Sequence, residues 1–195
     1  MNPVLLAAEG KANFNVSSLE GIILKTATYQ DYNLRRGLNR RNAIVFISSG
    51  AWDPYSNHIL KTLRNVEADL TESGIQIIAI VPEQPHEIRT LQDMHDLPYV
   101  VASDPEHQIS LLAGKILKLD EKTQKQIRDA YEARGKTLKV LPVNYPELQL
   151  LFIGSDGIAH HSWKMTSSEA LITIEQITEW AQELVLHSAE LKLKP

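Results

Sequence analysis

Asp53, Ser56 and His58 stand within six residues of one another, just after the apolar run Ala43-Ile44-Val45-Phe46-Ile47-Ser48 and at the start of a helical pattern. A carboxylate, a hydroxyl and an imidazole are the materials of acid–base and nucleophilic chemistry, so their placement decides what they can do. Asp53 followed by Pro54 reads as a helix start, with the aspartate as cap and proline in the first helical position. Asp53 is then expected to accept from the N–H of Ser56. The unpaired N–H groups and partial positive charge at such a terminus keep a carboxylate ionised and make it a weak proton acceptor. A cap worth about 0.5 to 2 kcal/mol is therefore the structural role, and a general base or metal ligand is the alternative that the helix field opposes. Ser56 acts as a nucleophile only with a base beside it. His58 lies two residues on, facing a different side of the helix.

Other residues invite chemistry less strongly. Trp52 and Tyr55 frame the same helix start, either packing the strand end against the helix or forming an apolar rim for a ligand or partner. His160 and His161 are consecutive in a predicted strand, so they point to opposite faces and cannot share an ion. No second His, Asp or Glu at ligand spacing is read beside either, so no metal site is expected. Arg35, Arg36, Arg40 and Arg41 read as solvated loop charge, or as an anion or partner patch. There is no phosphate-binding Gly-rich loop, dinucleotide fingerprint or Gly-x-Ser-x-Gly elbow, and no cofactor is expected. The chain has no cysteine, which excludes disulfides and every thiolate role.

A length of 195 residues suits one domain with a sizeable core. The net charge of -4 gives no overall attraction to nucleic acid or anionic membrane, and neither is expected as a partner. No apolar stretch approaches the ~18 to 20 residues of a membrane span. The first ten residues lack the cationic start of a signal peptide, so a cytoplasmic location is expected. A protein partner or small ligand is expected without being identifiable, and a homodimer is one arrangement open to the chain.

The elements that position these residues follow from periodicity. Ala43 to Ser48 and Ile75 to Val81 are apolar runs of the kind buried on both faces of a sheet. Between them Ile59, Leu63, Val66 and Leu70 form a helical stripe that ends at Ser73-Gly74, making a right-handed βαβ unit. A helix is predicted after Pro85, a strand at Tyr99 to Val101, and a helix from Ser103-Asp104-Pro105. Asp120 to Arg134 reads as a charged helix with Ile127, Ala130 and Tyr131 on its apolar side. Leu148 to Ile153 and Ile158 to Trp163 flank Ser155-Asp156-Gly157 as an antiparallel hairpin. A final helix begins near Thr173, capped with Gln176, with Ile174, Ile177, Trp180, Ala181 and Leu184 inward. Residues 17–42 read as a short helix and loop. The expected layout is an arm over 1–16, a domain over 17–187 with a helical insertion at about 115–146, and a C-terminal tail over 188–195 that frays from Lys192 to Pro195. A parallel pair joined to a hairpin, with helices on both faces, is a thioredoxin-like three-layer α/β/α arrangement around a mixed sheet.

Ser49-Gly50-Ala51-Trp52-Asp53-Pro54-Tyr55-Ser56-Asn57 resembles the strand-to-helix motif of the AhpC/TSA (redoxin) peroxiredoxin-like family, which typically reads Gly-Ala/Gly-Trp-Cys-Pro-Tyr-Cys-Asn. The likeness continues, in the family's order, through Ile78 to Pro85, Leu97-Pro98-Tyr99, Ser103-Asp104-Pro105 and Phe152 to Gly157. It covers about residues 20 to 185. The family is one of thiol-dependent antioxidant oxidoreductases. The resemblance places Asp53 where that family has its peroxide-attacking cysteine and Ser56 where it has the second. It also places Leu148 where the family's pattern carries a cis-proline, a bond form essentially confined to proline. A redox-inactive relative acting as a binding, scaffolding or regulatory module is therefore expected, with Trp52, Pro54, Tyr55 and Leu148 around a vestigial site. A non-thiol enzyme in the vacated cleft stays open. So does deliberate replacement of both cysteines, although the loss of the proline favours natural divergence.

Overall fold

The computed structural model of the protein describes residues 14–133, 135, 141–165 and 171–193. Most of the expected arm, part of the insertion and the end of the tail lie outside these residues. A 3-10 turn at Val16–Leu19 leads into β1 (Leu24–Thr26), β2 (Asp31–Tyr32) and α1 (Leu34–Leu38). The central unit is β3 (Asn42–Ile47), α2 (Pro54–Glu72) and β4 (Ile75–Val81), followed by α3 (Pro85–His95), β5 (Val100–Ser103) and α4 (Gln108–Ala113). Next come β6 (Ile116–Lys118), α5 (Glu121–Glu132), β7 (Asn144–Pro146), β8 (Gln149–Ile153), β9 (Ala159–Lys164) and α6 (Ile174–Leu193).

Seven strands form one mixed sheet in the order β2-β1-β5-β4-β3-β8-β9. β3 and β4 are parallel from Asn42↔Ile75 to Ile47↔Ile80, and β8 and β9 close the same sheet as an antiparallel hairpin. Side-chain alternation along the strands divides the core in two. Ile44, Phe46, Ile77, Ala79, Leu150 and Phe152 face α2, α3 and α6. Ala43, Val45, Ile47, Ile78, Ile80 and Leu151 face α1, α4 and the segment from Phe14 to Leu19. The three-layer α/β/α fold is thus built by strands buried on both sides. None of the described helices is long and apolar enough to cross a membrane.

Several local expectations hold in detail. Gly74 takes the left-handed conformation just past the end of α2 (φ +77°). Thr173 and Gln176 exchange side-chain and backbone hydrogen bonds at the start of α6, both at 3.2 Å. Others need correction. Residues 17–42 contain α1 but also β1 and β2, which add an edge to the sheet; of these five strand residues only Leu24 is buried, too few to set up a visible alternation. β6 and β7 pair in a small separate sheet for the same reason of length. α4 begins five residues beyond Ser103, because Asp104 reaches across the turn to accept from the N–H groups of Gln108, Ile109 and Ser110. Ile174, expected inward, is exposed in the first turn of α6, whereas Ile177, Trp180, Ala181 and Leu184 are buried.

Candidate functional site

Parallel pairing puts the carboxyl ends of β3 and β4 side by side, so the loop from Ser48 to Asp53 and the loop from Pro82 to Gln84 are neighbours. Such strand ends are where α/β sheets place their ligand sites. Gly50 makes the first turn possible: its φ is +124°, and a β-carbon there would come within 2.8 Å of the Trp52 ring. The Trp52 indole folds back over it, donating from Nε1 to the Ser49 carbonyl at 2.9 Å and standing edge-on to Tyr145 at 5.3 Å.

Asp53 caps α2 as its sequence predicts, and does more. Oδ1 accepts from the Tyr55 N–H at 3.2 Å, while Oδ2 accepts from the Ser56 N–H at 2.8 Å and from the Ser56 hydroxyl at 2.7 Å. Ser56 Oγ in turn accepts from the Ser49 N–H at 3.1 Å. Asp53 is 6% exposed and Ser56 0%. A carboxylate therefore does stand beside the serine, but the hydroxyl is sealed from solvent and engaged both as donor and as acceptor. His58 is exposed and lies outside this pair. Leu148 is buried in the core with Met165 N–H donating to its carbonyl at 3.1 Å, and no cis peptide occurs among the described residues. Tyr55 packs half-buried against the core, and Pro54 is exposed.

Five residues to which the sequence reading gave no role at this site surround the loop. Tyr131 on α5 donates to the Trp52 carbonyl at 2.8 Å, across 79 residues of chain. Asn57 donates to the carbonyls of Ala51 (2.8 Å) and Asp53 (3.0 Å), and its own oxygen meets His95 Nε2 at 3.0 Å. Burial, with the charges of Lys61 and Arg64, pushes the His95 imidazole down toward its neutral form. Tyr145 closes one side; burial and then the Asp53 charge push its hydroxyl up. Glu83 accepts from the Ala51 N–H through Oε1, while its other oxygen is buried without a partner. Burial pushes this carboxyl up, against the opposing pull of backbone hydrogen bonds from Ala51 and its own N–H. Glu83 lies two residues past β4, and the pairing of β4 with β3 brings that position beside the loop after β3.

Beyond this site, His160 and His161 do point apart. His161 stacks on Trp180 and pairs with Glu183 at 2.6 Å, whereas His160 Nε2 lies 3.0 Å from Asp156 Oδ2, beside His187. The reading that left His160 without a companion ligand is thus corrected: Asp156 lies across the hairpin turn and His187 on a distant helix. Arg35, Arg36 and Arg40 line an open cavity of about 770 Å³ with Asn33, Asn39 and Asp156. Arg41 neighbours Tyr32 instead.

A model of the AhpC/TSA family matches residues 12–158. No curated protein matches the chain. Among solved structures, peroxiredoxin Q of Xanthomonas campestris is similar with a TM-score of 0.66 at 10% identity, over 91% of this chain and 98% of that one. Peroxidoxin BcpB of Mycobacterium tuberculosis is similar with a TM-score of 0.62 at 13% identity, over 91% and 96%.

Proposed function

The chain belongs to the AhpC/TSA family and contains no cysteine, and from that premise we propose that it is a redox-silent member acting as a binding, scaffolding or regulatory module. The observation that carries this reading is the closure of Asp53 and Ser56 on each other. At the two positions where the family resemblance puts thiols, the polar groups are spent on capping the helix and fixing the Ser49 backbone. A nucleophile must be free to reach a substrate, and neither of these is. Trp52, Pro54 and Tyr55 then form the rim available to a partner, with Leu148 buried in the core.

Peroxide consumption tests the silent half of the proposal. With hydrogen peroxide or an organic hydroperoxide and either thioredoxin or glutathione, turnover should equal that of the protein-free control. Steady protein-dependent turnover would overturn it. Affinity capture from the source cells tests the other half, since the joint substitution Trp52→Ala, Tyr55→Ala should release a partner that the unaltered protein retains.

One observation favours a second reading, an enzyme of a non-thiol class. Glu83 is half-buried, with a raised pKa and one carboxylate oxygen buried without a partner at the strand ends, the condition expected of a general acid or base. Any turnover found should then disappear in Glu83→Gln.

A further inference from the structure

We propose that Asp156, His160 and His187 form a site for one divalent transition-metal ion, of which zinc is the probe. The three residues come from separate places in the fold: the turn between β8 and β9, the first part of β9, and the last third of α6. His160 Nε2 and His187 Nε2 lie 3.0 and 3.3 Å from the same carboxylate oxygen, Asp156 Oδ2, and the two rings are 4.2 Å apart. All three ligand atoms fall within 4.8 Å of one another. Ligands about 2.1 Å from a tetrahedral ion stand about 3.4 Å apart, and the two nitrogen–oxygen distances lie within a few tenths of an ångström of that spacing.

The surroundings hold this arrangement ready. Gly154 lies directly beneath it: a β-carbon there would come within 2.7 Å of Asp156 Oδ1 and 2.8 Å of His160 Nε2. The turn is tied to α6 next to His187 by a buried polar network. Asn42 Oδ1 accepts from the Ser155 N–H at 2.9 Å and from the Ser188 hydroxyl at 2.6 Å, and the Ser155 and Ser188 hydroxyls are 2.9 Å apart.

Two imidazoles and one carboxylate select zinc, cobalt, nickel or copper over magnesium and calcium, which prefer all-oxygen shells. Three protein ligands leave at least one position open to water or a small anion. Asp156 also lines the cavity that carries Arg35, Arg36 and Arg40, and that cavity supplies the access. The ion would clip the hairpin tip to the C-terminal helix.

Chelator-treated protein titrated with zinc in a calorimeter should bind one equivalent. Its melting temperature should rise by roughly 5 to 10 °C at a hundredfold excess over Kd, with no rise in magnesium. His160→Gln and His187→Gln should each weaken binding at least tenfold while the circular dichroism spectrum of the metal-free protein is retained. His58→Gln, at an exposed histidine on α2, should bind as the unaltered protein does. Absence of saturable zinc, cobalt or nickel binding would overturn the site. Zinc binding that persists in the double variant His160→Gln, His187→Gln would overturn it equally.

Discussion

At position 53, a side chain that the family resemblance would make a reagent has become a structural part. Asp53 satisfies two N–H groups at the start of α2 and receives the Ser56 hydroxyl, so its removal is more than the loss of a cap. Asp53→Ala should destabilise the protein by about 2 kcal/mol, the upper end for a capping residue, because the buried Ser56 hydroxyl also loses its acceptor. Asp53→Asn should cost less, since the amide oxygen still caps. Chemical denaturation of Asp53→Ala, Ser56→Ala and the double variant should give a coupling of roughly 0.5 to 3 kcal/mol. Additive costs would mean that the hydroxyl–carboxylate bond contributes nothing to stability. The capping role was legible from Asp53-Pro54, because the N–H groups it satisfies belong to the next three residues. The hydroxyl bond was not, as it depends on which rotamer a buried serine adopts.

α5 illustrates how little local pattern says about attachment. Its charge and single weak apolar side predicted a helix, and Glu121–Glu132 is one, opened by Asp120 accepting from the Thr123 N–H at 2.8 Å. None of its residues is fully buried, so packing holds it only lightly. Its link to the Asp53 loop is the Tyr131 hydroxyl on the Trp52 carbonyl. Tyr131→Phe should therefore change global stability by no more than about 0.5 to 1.5 kcal/mol, the net worth of one hydrogen bond. Hydrogen exchange over residues 121–132 should nevertheless rise, because opening of a lightly packed element is governed locally. Unchanged exchange there would show that other contacts anchor the helix. The strands missed in sequence, β1, β2, β6 and β7, share a cause. Each has two or three residues and exists only because a neighbouring strand offers unpaired backbone groups.

Across the whole molecule, buried carboxyls make stability depend on pH. Glu83 and Asp104 are both pushed up by burial. A raised carboxyl contributes fully below its unfolded value, and that contribution is lost as pH climbs through the folded one. For Glu83 the loss therefore begins above the ordinary value of 4.5 and is complete above its raised value. Glu83→Gln keeps an acceptor for the Ala51 N–H and cannot ionise, so it should stabilise the protein at neutral pH, with the gain shrinking as the pH falls from the raised value toward 4.5 and gone below it. Unfolding curves at pH 7 and pH 4 check this, and an equal effect at both would show that Glu83 carries no ionisation penalty.

The amino-acid sequence by itself determined the central architecture. Ala43 to Ser48 and Ile75 to Val81 are apolar throughout because both faces of a central strand are buried, and the stripe Ile59, Leu63, Val66 and Leu70 can only be a helix lying on that sheet. It also determined the absence of thiol chemistry, which needs no coordinates to establish. Only the tertiary structure decided that Glu83 and Tyr131 meet the Asp53 loop, and that His160 meets His187 rather than His161. The physical reason is range. Caps, helices and strands are settled by neighbours a few residues away, whereas these contacts join residues 27 to 79 positions apart, brought together by parallel strand pairing and helix docking.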